Sequence, residues 1–93
     1  MEFEWDDDKS ERNRVGRGLP FRVAVALFDD FIIENEDRRR DYGEHRMIAV
    51  GRANGEILVC IYTDRPHARR IISLRRANRK ECHAYRAGEL GRR

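Results

Sequence analysis

Five side chains of this 93-residue sequence suit acid–base or phosphate chemistry: Lys9, Glu44, His45, Arg65 and Arg70. Cleaving a phosphodiester without a metal needs a base, a proton donor and cations around the developing charge. Glu44 or His45 can supply the base, histidine because its ordinary pKa of roughly 6.5 lies near working pH. Lys9 can contact a phosphate or move a proton, or it can simply pair with Asp6 three residues earlier. The planar guanidinium groups of Arg65 and Arg70 can grip phosphate through paired hydrogen bonds. Arg75, Arg76 and Tyr62 are candidate contacts to a nucleic-acid polyanion, the arginines by charge and the tyrosine by stacking on a base. Each has a plain structural alternative: ion pairing with the acidic amino-terminal half for the arginines, and core packing for Tyr62. His67 and His83 read as surface residues.

The charge distribution favours an anionic partner. Net charge is +3, and arginine supplies 18 of the 20 basic residues. Residues 1–64 hold 15 acids against 10 bases, whereas residues 65–93 hold 10 bases against 2 acids. That carboxy-terminal concentration suggests a polyanion, an acidic protein partner, or both; a solvated charged face is the bland alternative. The three histidines are far apart, Cys60 and Cys82 lie outside any CxxC spacing, and Asp6-Asp7-Asp8 reads as a helix cap. No metal site is therefore expected. No phosphate-binding glycine loop, GxSxG or dinucleotide fingerprint occurs, so no cofactor is expected either. Apolar runs fall short of the ~18–20 residues of a membrane span, and the start lacks signal-peptide character. These features predict a cytoplasmic protein with reduced cysteines and no membrane partner.

The elements that must carry these residues can be read in order. Phe3 and Trp5 alternate with Glu2 and Glu4 as in a short strand. Asp6 caps a polar helix running to about Val15, before Gly16 and Gly18. After Pro20, the i, i+3, i+4, i+7 spacing of Phe21, Ala24, Val25 and Phe28 predicts a second helix with a core stripe. Phe31-Ile32-Ile33 reads as a strand or an apolar plug, and residues 34–45 as an exposed loop. Arg46–Arg52 and Ile57–Thr63 flank Asn54-Gly55, a two-residue hairpin turn, so paired residue numbers sum to 109. Met47 then meets Tyr62, Ala49 meets Cys60, and His45 meets Asp64, which would orient the imidazole. A third strand, Arg69–Arg75, returns after a loop at 64–68 and places Arg70 near Tyr62. Asn78 and Glu81 form a capping box for a last helix toward Gly88, with Cys82 and Tyr85 inward. The result is a small single α+β domain over residues 1–93: a strand and two helices, three to four antiparallel strands, then a carboxy-terminal helix.

The motifs resemble one family over nearly the whole chain. Phe3-x-Trp5-Asp6-x-x-Lys9-x-x-x-Asn13 is similar to the opening of BrnT toxins, followed in order by Gly18 and Phe21. Glu44-x-Arg46, Gly51, Gly55-x-x-Leu58-Val59 and Tyr62-Thr63-x-Arg65 continue the pattern, as do Arg70-Ile71-Ile72-Ser73-x-Arg75-x-Ala77, Glu81 and Tyr85. Two positions depart from it: Gly16-Arg17 replaces a common Lys-His pair, and His45 replaces a common second acid. The resemblance implies a RelE-like fold and a ribonuclease activity that stops translation. It also implies neutralisation by a BrnA-type antitoxin with a ribbon-helix-helix domain, in a higher-order complex that binds operator DNA and represses its own operon. The rival reading of the residues is a non-catalytic basic module that docks an acidic protein or nucleic acid.

Overall fold

The structure is a computed structural model that describes residues 1–92. Five strands form one sheet in the order β1-β5-β4-β3-β2: β1 (Phe3–Trp5), β2 (Ile32–Glu36), β3 (Met47–Ala53), β4 (Glu56–Arg65) and β5 (Ala68–Arg76). The α+β class is as expected. The sheet is one strand larger, because β1 joins the edge of β5 in parallel, while all other neighbours are antiparallel.

The β3–β4 hairpin has the predicted register throughout, from Met47 opposite Tyr62 to Ala53 opposite Glu56. Asn54 and Gly55 both have positive φ, 51° and 80°, as a turn that follows the twist of its strands requires. The β4–β5 connection differs from expectation. Both strands extend until Arg65 pairs with Ala68, so the turn is Pro66-His67 rather than residues 64–68. Arg70 consequently stands opposite Thr63, not Tyr62, and faces the other side of the sheet. Tyr62 pairs with Ile71 and Ile61 with Ser73, which leaves Ile72 as the extra residue of a bulge.

One sheet face carries the core. Leu58, Cys60, Tyr62, Ile71, Leu74 and Ala49 pack under Leu19, Phe21, Ala24 and Leu27. The segment Phe21–Asp29 is a 3₁₀ helix. Its buried positions, Phe21, Ala24 and Leu27, recur every three residues as that geometry dictates, whereas Val25 and Phe28 are only partly buried. A Cβ at Gly51 would lie 2.9 Å from Ile32 Cγ2 and 3.0 Å from Leu27 Cδ2, so the helix seats where β3 lacks a side chain.

On the other face, α2 (Arg79–Gly91) covers the β2–β3 side. Its capping box at Asn78 and Glu81 is formed as predicted, and it ends three residues beyond Gly88. Tyr85 is fully buried and donates its hydroxyl to the Phe31 carbonyl at 2.7 Å. α1 (Asp7–Arg17) buries no residue. Polar tethers hold it instead: Ser10 Oγ accepts from the Phe21 amide, and Asn13 Nδ2 donates to the Leu19 and Leu74 carbonyls at 2.7 and 3.0 Å. Residues 34–45 are not simply an exposed loop. Glu34 to Glu36 complete β2, and the following turn folds around Asp37, which is 4% exposed.

Candidate active site

Between α1 and the loop after β2, the sheet face is left open as two adjoining cavities. The larger, about 820 Å³, has Ile61, Ile72 and Ser73 as its floor. Lys9, Arg12, Asn13 and Arg17 of α1 form one wall; Arg39, Arg40, Tyr42 and Arg46 form the other. The smaller, about 120 Å³, gathers Asp6, Lys9, Glu44, Arg46, Arg65 and Arg70. Lys9, Arg46 and Ile72 line both, so the two read as one cleft with a deep end.

Four of the five side chains singled out for chemistry meet at that deep end. Glu44 is bridged by Arg46 Nε at 2.9 Å and by an Arg65 amino nitrogen at 3.6 Å. Arg70 donates to Glu4 at 2.7 Å, a contact set by the β1–β5 pairing of these two residues. That hydrogen bond holds the Glu4 carboxyl below its usual range, and His67 lies 3.4 Å from its other oxygen. Asp6 accepts from the Asp8 and Lys9 amides, which fixes the first turn of α1 and depresses its own carboxyl pKa.

The electrostatics are one-sided. Among the described residues, no carboxylate lies within 4.0 Å of the charged ends of Lys9, Arg12, Arg17 or Arg40, all of which line the large cavity. The loop wall is held by Asp37, which takes both a 2.7 and a 2.8 Å hydrogen bond from Arg39. Chiefly through that contact, its carboxyl is held far below the usual range. Tyr42 lies between the Arg46 guanidinium, 4.3 Å from its ring centroid, and that of Arg40 at 5.0 Å.

His45 is not part of this group. Its ring is 67% exposed, lines neither cavity and meets Glu36 at 2.9 Å; Asp64, its expected neighbour, pairs with Arg69 instead. Arg75 and Arg76 are ion-paired with Glu81 and Glu56, both at 2.8 Å, and line neither cavity. Tyr62 is core: 3% exposed, with Arg69 over its ring at 4.1 Å and its hydroxyl against Glu34. Burial and that carboxylate raise its pKa. Sequence reasoning missed Glu4, Arg12, Arg39, Arg40, Tyr42 and Arg46 as site residues. The signal for the α1 wall was available: Lys9, Arg12, Asn13, Gly16 and Arg17 stand at i, i+3, i+4, i+7 and i+8, one helix face. Among the described residues, no three His, Cys, Asp or Glu side chains gather as metal ligands, and no helix is long and apolar enough to cross a membrane.

The fold is a small α+β domain with a cation-walled cleft, its deep end lined by two carboxylates, a lysine and three arginines. Residues 5–81 match the family described as the ribonuclease toxin, BrnT, of type II toxin–antitoxin systems, and the chain belongs to that family. The matched span includes every residue of the deep end. No curated protein matches the chain.

Proposed function

We propose that this BrnT-family toxin cuts RNA at the deep end of the cleft, without a metal, and thereby stops translation in the cytoplasm. The observation that carries this reading is the gathering of Lys9, Glu44, Arg46, Arg65 and Arg70 around one small cavity that opens into a groove also lined by Arg12, Arg17 and Arg40. Glu44 accepts the proton of the 2′-hydroxyl, whose oxygen attacks the adjacent phosphorus. The bond to the 5′-oxygen breaks, Lys9 donates the proton that the leaving oxygen takes up, and a 2′,3′-cyclic phosphate remains. Arg65 and Arg70 hold the non-bridging oxygens, and their charge offsets the negative charge that grows in the transition state. Guanidinium groups thus fill the role that a divalent cation fills elsewhere.

Membership of a type II family implies a protein antitoxin. We assign that role to a BrnA-type ribbon-helix-helix protein, whose complex with the toxin binds operator DNA and represses the operon. The test of the catalytic reading is RNA cleavage by purified protein in excess chelator, with analysis of the ends. Cyclic or 3′-phosphate ends are expected; cleavage lost in chelator and restored by Mg²⁺ would overturn it. For the partner, growth arrest on expression should be relieved by co-expressing the ribbon-helix-helix protein, and equal growth at matched toxin levels would contradict the assignment.

A further inference from the structure

The exposed face of α2 carries a second run of like charge. Arg79, Lys80, His83 and Arg86 are all exposed and border one shallow depression with Ala77 and Cys82. Among the described residues, no carboxylate lies within 4.0 Å of any of these four charged or titratable ends. Glu81, the acid of the same helix segment, is turned away and occupied by Arg75 and the Asn78 amide.

Strand β5 leads from the cleft to this patch. Along β5 the open sheet face presents Arg70 at the deep end, Ser73 on the cleft floor, then Arg75, with Ala77 at the margin of the α2 depression. With Ile72 taken up by the bulge, six steps at ~3.3 Å put Arg70 and Ala77 about 20 Å apart. At the end of β5, Arg76 donates to the carbonyl of Arg17 on the cleft wall.

From this geometry we infer that α2 holds the phosphate backbone of the RNA segment that continues beyond the cleaved nucleotide. The inference rests on the RNA-cleaving reading of the cleft and extends it to an elongated single-stranded substrate. Arg79, Lys80 and Arg86 border the depression with no acid among its lining residues, which complements a polyanion. A phosphate backbone needs only cations, whose count appears in the salt dependence of binding.

The test compares 2′-O-methyl RNA oligonucleotides of about 4 and about 16 nucleotides, the span of common single-strand sites. The blocked 2′-oxygen prevents cleavage, so affinity is read directly for wild type and for Arg79→Ala/Lys80→Ala/Arg86→Ala at several salt concentrations. Wild type should prefer the longer oligonucleotide, and the triple variant should narrow that preference about tenfold. Its log–log salt slope should fall by about 2, at ~0.7 per lost phosphate contact on a single strand. An unchanged preference and slope, in a variant that melts like wild type, would overturn the inference and leave the cleft reading intact. A variant that keeps its RNA preference but no longer binds the antitoxin would overturn it in favour of a protein surface. Wild-type protein that binds neither oligonucleotide and cuts no unmodified RNA would defeat the cleft reading, and this inference with it.

Discussion

The guanidinium of Arg70 sits 2.7 Å from the carboxylate of Glu4, across the parallel pairing of β1 with β5. The three-residue strand β1 therefore does more than close an edge. It delivers a carboxylate that accepts one hydrogen bond from Arg70, whose side chain lines the deep end of the cleft. Under the proposed mechanism, Glu4 acts through Arg70 as a positioning residue.

Replacing Glu4 by Gln keeps the size of the side chain and weakens its grip on Arg70. Misplacing a phosphate clamp by about 1 Å can lower turnover by about 100-fold. Glu4→Gln should thus lower kcat by about 10- to 100-fold, with KM and melting midpoint moving little. Steady-state kinetics beside a thermal melt check this; a variant with wild-type kcat would show that Arg70 needs no support from β1.

Asp37 makes an acid-sensitive anchor. Its side chain is 1% exposed, while that of its partner Arg39 is 63% exposed, so the pair is partly screened. Losing the charged hydrogen bonds in Asp37→Asn should cost about 1.5–3 kcal/mol at neutral pH. Because the folded carboxyl titrates well below its ordinary 3.8, this stabilisation is present above that value and is lost as pH falls beneath it. Melting midpoints of wild type and variant should differ at pH 7 and converge as the pH drops below 4. Parallel curves down to pH 2 would contradict the assignment.

His45→Ala should cut RNA at the wild-type rate, since the imidazole meets Glu36 outside both cavities. Initial cleavage rates measured from pH 5 to 8 suffice. A tenfold loss, or a changed pH profile, would restore histidine to the chemistry.

Tyr62→Phe separates core from site in the same way. It removes a hydroxyl that donates to Glu34 beneath Arg69, so it should destabilise by about 0.5–1.5 kcal/mol without altering cleavage. Denaturant unfolding and cleavage rate report the two effects; a stable variant with weakened RNA binding would mean that the ring reaches the substrate.

How far the sequence could be read depended on where turn chemistry was decisive. Asn54-Gly55 admits one tight turn, so the β3–β4 register followed from two residues. Arg65-Pro66-His67-Ala68 carries no such marker, and its polar composition hid a two-residue turn and the Ile72 bulge. That one-residue error put Arg70 on the wrong face and beside the wrong neighbour, where Arg69 stands. Glu34 and Glu36 concealed β2 because an edge strand tolerates charge along its length. The charge distribution did not show which cations are paired. The arginines concentrated in residues 65–93 include several spent on ion pairs, with Asp64, Glu4, Glu81, Glu56 and Asp30 among the partners. The unpaired cations of the cleft come from α1 and the loop near Tyr42, within the half that is acidic overall. Lys9, Glu44, Arg65 and Arg70 were legible as residue types, but their meeting point depends on β5 register and on a polar helix held without buried apolar contacts.

The central claim is that the deep end of the cleft cuts RNA, and Arg70 tests it most directly. The measurement is the initial rate of RNA cleavage in excess chelator for Arg70→Ala and Arg70→Lys, taken beside their melting midpoints. Losing one transition-state contact to phosphate typically removes about 2.7–4 kcal/mol, so the alanine variant should cut ~100- to 1,000-fold more slowly while staying folded. Lysine should recover only part of that rate, because it restores charge without the planar fork. An alanine variant that melts like wild type and cleaves at an undiminished rate would contradict the account.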